Sequence, residues 1–254
     1  ACTIRSNNRF FPQNVRCYEG VELSRNYDFQ FLRGYGPDVV INCIGDITKT
    51  NDFTCTTGQV FTNAMLPHIL KDFAIEMGFR LIHFSTDCVF DGQKGGHYNE
   101  ANKQAFDCYG QSKSLGEVSG ENVLTIRTSI VGPEFDGKSK GLFEWFKSQT
   151  SDVKGYKSAI FSGMTTMETA KLIKFLLEEK VFPTGVWNVS GPVIDKFTLL
   201  NLFKIKLGAN VNIIPDYSLQ IDRSLCDDEF RERFKLCWKV DWSKMVNEMD
   251  NFNV

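Results

Sequence analysis

The chain has 254 residues, 42% hydrophobic and 24% charged, and its 29 Lys and Arg against 31 Asp and Glu leave a net charge of −2. That is enough apolar material for a sizeable core, in one domain or in a large and a small one. The balanced charge offers nucleic acid no basic surface, and no apolar run approaches the roughly 20 residues that span a bilayer, so neither nucleic acid nor membrane is an expected partner.

In chain order, ACTIRS (1–6) and VRCYEGVEL (15–23) predict short strands, and DVVINCIG (38–45) a buried parallel strand. QVFTNAMLPHILKDFAIEMG (59–78) predicts a helix stopped by Gly78, and RLIHFSTDCVF (80–90) the next strand. YGQSKSLGEVSG (109–120) begins another helix and LTIRTSIVG (124–132) completes the strand series. Such alternation predicts an α/β fold, a Rossmann-like doubly wound parallel sheet covered by helices. From about Pro133 the character changes. A glycine- and charge-rich connection leads into GLFEWFKSQ, and TMETAKLIKFLLEEK and TLLNLFKIKLG predict later helices. The division expected is a nucleotide-binding domain over 1–132 and a smaller, mainly substrate-binding portion over 133–254.

Chemistry concentrates where RLIHFSTDCVF ends in Ser85, Thr86 and Asp87 and where Tyr109 and Lys113 follow in YGQSK. Residues four apart share a helix face, so an ammonium can sit beneath a phenol and favour its ionised form. The hydroxyls stand at the carboxyl end of a strand, where open α/β sheets place ligands. Eight cysteines are scattered without a CxxC pair, which points away from a metal site and toward reduced thiols in a cytoplasmic setting. His83, alternating with apolar neighbours, reads as a packed residue, and His68 and His97 carry no assigned chemistry.

PDVVINCIG, FRLIHFSTDCVFDG, YGQSKSLGE and LTIRTSIVG, in this order and spacing, resemble the extended short-chain dehydrogenases and, within them, the dTDP-4-dehydrorhamnose reductase-like sugar-nucleotide reductases. Weaker similarity continues through AIFSGMTTMETAKLI, VWNVSGP and DRSLCDDEF. The resemblance implies Tyr109 as catalytic acid, Lys113 as its partner and nicotinamide-ribose ligand, and Thr86 as third member, with Asp87 and Phe90 bordering the substrate and Ser85 beside both ligands. It also implies cofactor contacts from Cys43, Ile44 and Gly45 at the end of a strand, from Glu22 and Leu23 near adenine, and from Asn63 supporting the lysine through water. A final strand near VWNVSG would return to the large sheet.

One departure from the family is expected to matter. No GxxGxxG turn is present, and ACTIRS reads as the second strand of the nucleotide-binding unit, as if the first strand were missing. The cofactor expected is NADPH, because Arg5 and Ser6 close that strand where an acidic residue would favour NAD. Arg223, with Lys138 or Lys140, is the candidate partner of the substrate's diphosphate. The function implied is NADPH-dependent reduction of a nucleotide-activated 4-keto-6-deoxy sugar, with a UDP-linked acetamido ketosugar as the next substrate. An NAD-retaining sugar-nucleotide epimerase and a noncatalytic protein on the same fold are the alternatives. Related reductases can dimerise, which allows a homodimer without identifying its interface.

Overall fold

The computed structural model describes residues 2–4, 17–19, 29–47, 54–97, 102–134, 141–179 and 181–250. They fall in two compact units, Ala1–Pro37 and Asp38–Val254. In the first, β1 (Cys2–Ile4) and β2 (Cys17–Glu19) pair in parallel, with Cys2 opposite Cys17. A short α1 (Gln30–Tyr35) follows and ends on Gly36 in the left-handed conformation.

The second unit opens with β3 (Val39–Asn42). Thr56 then starts a helical run through a reciprocal cap: its hydroxyl accepts from the Gln59 amide at 3.1 Å while the Gln59 side chain accepts from the Thr56 amide at 3.0 Å. The run begins as α2 (Thr57–Gln59), widens into a π-helical segment (Val60–Met65) and continues as α3 (Leu66–Met77), which stops at Gly78 with φ 77°. β4 (Arg80–Thr86) comes next, then a 3₁₀ turn (Asp87–Val89), α4 (Cys108–Leu115) and β5 (Val123–Thr128).

Beyond β5 lie β6 (Ile130–Val131), α5 (Leu142–Lys147), β7 (Val153–Tyr156), β8 (Ala159–Phe161), β9 (Met164–Thr165), α6 (Thr166–Glu178) and β10 (Gly185–Asn188). The chain ends through β11 (Ile194–Asp195), α7 (Lys196–Leu207), β12 (Ile213–Asp216), β13 (Ile221–Asp222), α8 (Asp228–Arg233) and α9 (Trp242–Glu248).

The main sheet has the order β10-β5-β4-β3, parallel throughout. All six residues of β5 are buried, the pattern of a parallel strand covered on both faces. The helices α3 and α4 lie in the crossovers between successive parallel strands, connections that antiparallel hairpins would not need. One apolar cluster joins Ile82, Leu124 and Ile126 of the sheet to Phe146, Leu176 and Phe203 of the later helices, so packing is continuous across position 132. Minor strands pair around it: β6 with β9, β7 with β12, and β8 between β11 and β13. The mixed α/β, Rossmann-like class read from the sequence is the fold observed. None of the helices among the described residues is long and apolar enough to cross a membrane.

Candidate active site

The site forms where β4 ends. Thr86, the last residue of that strand, is 6% exposed, and its hydroxyl accepts from the Cys88 amide at 3.1 Å, capping the 3₁₀ turn. The same hydroxyl donates to Asp87 Oδ1 at 3.1 Å and makes a side-chain hydrogen bond with Tyr109. Helix α4 delivers Tyr109 and Lys113 one turn apart, and it is aimed by Asp107, whose carboxylate accepts from the Gly110 amide at 2.7 Å. Lys113 is buried and donates through Nζ to the Phe84 carbonyl, 2.5 Å away on β4. Thus Thr86, Tyr109 and Lys113 converge.

The electrostatics differ from the sequence expectation in one respect. Burial raises Tyr109 well above the ordinary phenol value, and neighbouring Cys88, Asp87 and Asp107 add to it against the opposing Thr86 bond. Burial is the largest influence on the phenol, and the Lys113 ammonium donates to the Phe84 carbonyl. The phenol therefore keeps its proton at neutral pH, the state a proton donor needs. Lys113 itself is brought down to about 8 by burial, with Glu117 and then Cys43 pulling the other way.

A buried ionic network fastens this assembly from behind. Glu117, one turn past Lys113, accepts from Ser85 Oγ at 2.9 Å, from Arg127 at 2.7 and 2.9 Å, and from Lys103 at 3.0 Å. Burial would raise the Glu117 carboxyl, but the hydrogen bonds and charge of Arg127 and Lys103 hold it below its ordinary range. The Ser85 hydroxyl thus gives its proton to Glu117, which leaves its lone pairs and its backbone as the routes to a ligand. Phe90 requires a correction. At 1% exposure, its ring is stacked on His97 at 4.1 Å with Arg127 5.5 Å from the ring, so it supports the turn and presents no face to a substrate. Asp87 is also buried; desolvation raises its carboxyl, while Lys196, Thr86 and Arg223 oppose the rise.

Asn63, 0% exposed in the π-helical segment, brackets Asp46 with a 2.8 Å bond from its amide and a 2.9 Å bond to its carbonyl. It also donates to Ser112 Oγ at 3.0 Å, so it holds the helix carrying Lys113 through the preceding residue. Arg223 donates to the Phe90 carbonyl at 3.1 Å, lies 3.3 Å from Cys88 Sγ and pairs with Asp107 at 3.7 Å. It therefore clamps the turn after β4 to the start of α4.

Gly110 sets how closely α4 approaches. A Cβ there would lie 2.1 Å from the Cys88 carbonyl oxygen and 2.7 Å from Ala105 Cβ. In a free helix, alanine would be favoured over glycine by about 1 kcal/mol. Here the clash with backbone outweighs that gain. Gly110→Ala is expected to destabilise the protein by about 1–3 kcal/mol, the usual cost of overpacking. Denaturant melts measure it, and a midpoint at or above that of the parent would disprove this packing.

Cys43, Ile44 and Gly45 follow directly on β3. Cys43 is exposed, Ile44 half-buried, and the Ile44 amide donates to Asn42 Oδ1 at 3.1 Å. Among the described residues, a Cβ at position 45 would meet no atom closer than Asn63 Oδ1 at 3.8 Å. Arg5, Ser6, Glu22, Leu23, Lys138 and Lys140 lie outside the described residues.

Residues 27–151 match the family model described as the RmlD substrate binding domain. A probable low-salt glycan biosynthesis reductase of Haloferax volcanii is 27% identical over 175 residues, covering 65% of this chain and 52% of the relative. A dTDP-4-dehydrorhamnose reductase of Burkholderia thailandensis is 32% identical over 100 residues, covering 37% of this chain and 34% of that protein. The matched region thus spans about half or less of these curated relatives. The solved structure of dTDP-4-dehydrorhamnose reductase from Bacillus anthracis in complex with NADP superposes with a TM-score of 0.76 at 15% identity, covering 98% of this chain and 97% of the other, and so shares its fold. The chain is similar to dTDP-4-dehydrorhamnose reductases over part of its length and shares their fold.

Within this reductase-like chain, several features of the site lay beyond sequence reasoning. YGQSKSLGE contains Glu117, but only the folded sheet brings Ser85 and Arg127 to it. The π-helical widening around Asn63 has no residue signature. Cys55 and Cys108, 53 positions apart, form a disulfide with Cα atoms 5.2 Å apart, where thiols throughout were expected. That bond ties the start of the α2 run to the residue immediately before Tyr109. His83 is packed, as read: it is 0% exposed, with Nδ1 3.0 Å from Asn42 Nδ2, and burial holds it well below its ordinary range.

Proposed function

We propose that this protein is an NADPH-dependent reductase acting on the ketone of a nucleotide-activated 4-keto-6-deoxy sugar, in deoxysugar or glycan biosynthesis, and that it works in the cytoplasm. The observation that carries the reading is the convergence of a protonated Tyr109, the Thr86 hydroxyl and the buried Lys113 ammonium at the carboxyl end of β4. The activities of the relatives, a probable reductase of glycan biosynthesis and a dTDP-4-dehydrorhamnose reductase, support the substrate class.

NADPH, when bound, supplies the hydride. Lys113 and Gly45 are the described residues that would hold it, the first through its ammonium and the second by permitting close backbone approach. Tyr109 donates its proton to the ketone oxygen as that oxygen gains negative charge, and the resulting phenolate is reprotonated from solvent. Thr86, by turning its hydroxyl from Asp87 to the same oxygen, stabilises the developing charge, a contact of a kind worth about 3–4 kcal/mol in other sites. Lys113 keeps a positive charge beneath both. Asp87 and Arg223 border the substrate, Arg223 by fixing the turn on which Asp87 sits.

A fluorescence titration of the purified chain with NADPH and NADH, followed by turnover of dTDP- and UDP-linked 4-keto-6-deoxy sugars, tests the reading. Selective NADPH binding and its ketosugar-dependent oxidation are expected. NADPH binding without turnover of either ketosugar would overturn the substrate assignment, and binding of neither cofactor would overturn the reductase reading of this chain.

A further inference from the structure

Two cations reach the site from one small sheet, and their circumstances differ. In β8, Ile160 stands opposite Asp195 of β11 on one side and Asp222 of β13 on the other. Asp195 and Asp222 thus flank β8 with backbones about 10 Å apart at the usual strand spacing, and Lys196 and Arg223 follow them in sequence on opposite sides of β8. Both act on the same groups: Asp87 and Cys88 feel the charge of each or of its neighbour, and Asp87 is the carboxylate that receives the Thr86 hydroxyl.

Arg223 is committed to Phe90, Cys88 and Asp107. Lys196 is not committed in this way. Its Nζ lies over the Phe161 ring at 3.6 Å from the centroid, and among the described residues no carboxylate oxygen comes within 4.0 Å of it. Phe161 is itself held by Trp242, with ring centroids 5.6 Å apart, so the platform is fixed. Burial lowers the Lys196 ammonium below the ordinary lysine range, and Asp87, then Cys88, oppose this. With Asp107 answering Arg223, the group around Asp87 carries a cation that is desolvated, placed on an aromatic face and short of a direct counter-ion. An anionic ligand would offset that desolvation.

We propose that Lys196 is a substrate-binding residue of this site, its ammonium meeting the diphosphate of the sugar nucleotide from the Phe161 side while Arg223 holds the turn bearing Asp87. This rests on the sugar-nucleotide reading above and assigns the anion contact to a residue that sequence reasoning had not singled out.

Isothermal titration of the 254-residue chain with dTDP, UDP and the phosphate-free nucleosides thymidine and uridine tests it. The parent is expected to bind at least one diphosphate. Lys196→Met should weaken that binding about ten- to a hundredfold, as loss of a charge-assisted phosphate contact does, and leave nucleoside and NADPH affinities unchanged. Lys196→Arg should restore most of the affinity, and it keeps the test valid where the methionine variant folds poorly. A parent that binds a diphosphate which Lys196→Met binds equally well overturns the Lys196 assignment alone. Equal weakening of diphosphate and nucleoside overturns it too, because the residue would then act on structure rather than on phosphate. Binding of neither diphosphate by the parent overturns the sugar-nucleotide reading itself.

Discussion

Replacing Tyr109 with Phe is expected to lower kcat for ketosugar reduction about a hundred- to ten-thousandfold, the range that a positioned proton donor contributes. The structure sets both the sign and the specificity of that loss. Burial keeps the phenol protonated far above neutral pH, so in the parent the donor is fully available. The substitution removes one hydroxyl from a half-buried ring whose helix is anchored independently, by the Asp107 cap, the Gly110 contact with Cys88 and the Glu117–Arg127 pair. NADPH affinity and the thermal midpoint should therefore stay near the parent's. Single-turnover rates measured beside a melt make the comparison. A variant that reduces the ketosugar at the parent rate would remove Tyr109 from the reaction.

The second large effect is one of pH. Lys113 must carry its charge to support the phenolate that proton donation leaves, and burial brings its ammonium down to about 8. The rate of reduction is accordingly expected to fall as pH rises through about 8, approaching a tenfold loss for each further unit when the neutral amine is inactive. Stability should move the opposite way. Between about 8 and the ordinary lysine value of about 10.4, the unfolded chain holds a proton on Lys113 that the folded chain does not, so this group's contribution to stability rises with pH. Tyr109 has the reverse sign, because its folded form keeps a proton the unfolded form loses, but that contribution begins only above about pH 10. Falling activity with steady or rising stability across pH 8–10 thus separates titration of Lys113 from unfolding. Glu117→Gln removes the largest influence that keeps Lys113 charged and should carry the fall in rate to lower pH. A kcat/KM profile flat to pH 9.5 would show that the lysine charge is not required.

These expectations depend on different kinds of information. The local signals were strong: hydroxyls at the end of an apolar strand, Tyr109 and Lys113 at helical spacing, and Gly78 closing a helix were each visible in a few consecutive residues. What those residues touch was less visible. The phenol and ammonium share a helix face, yet the ammonium also donates to the carbonyl of Phe84 and burial dominates the phenol. The family resemblance implied that Phe90 borders the substrate. Its stacking on His97, and the approach of Leu225 from far along the chain, bury it instead.

The sequence by itself determined the α/β alternation, the reductase-like motifs and the candidate catalytic three, because strand and helix periodicity and nearby spacing are properties of neighbouring residues. Only the tertiary structure decided the charge states and the supporting partners: Glu117 with Ser85 and Arg127, Cys55 with Cys108, and Lys196 with Arg223 on either side of β8. The physical reason is that desolvation and ion pairing depend on which groups exclude water from one another. In this protein those groups come from separate strands and helices, and local spacing holds no record of their meeting.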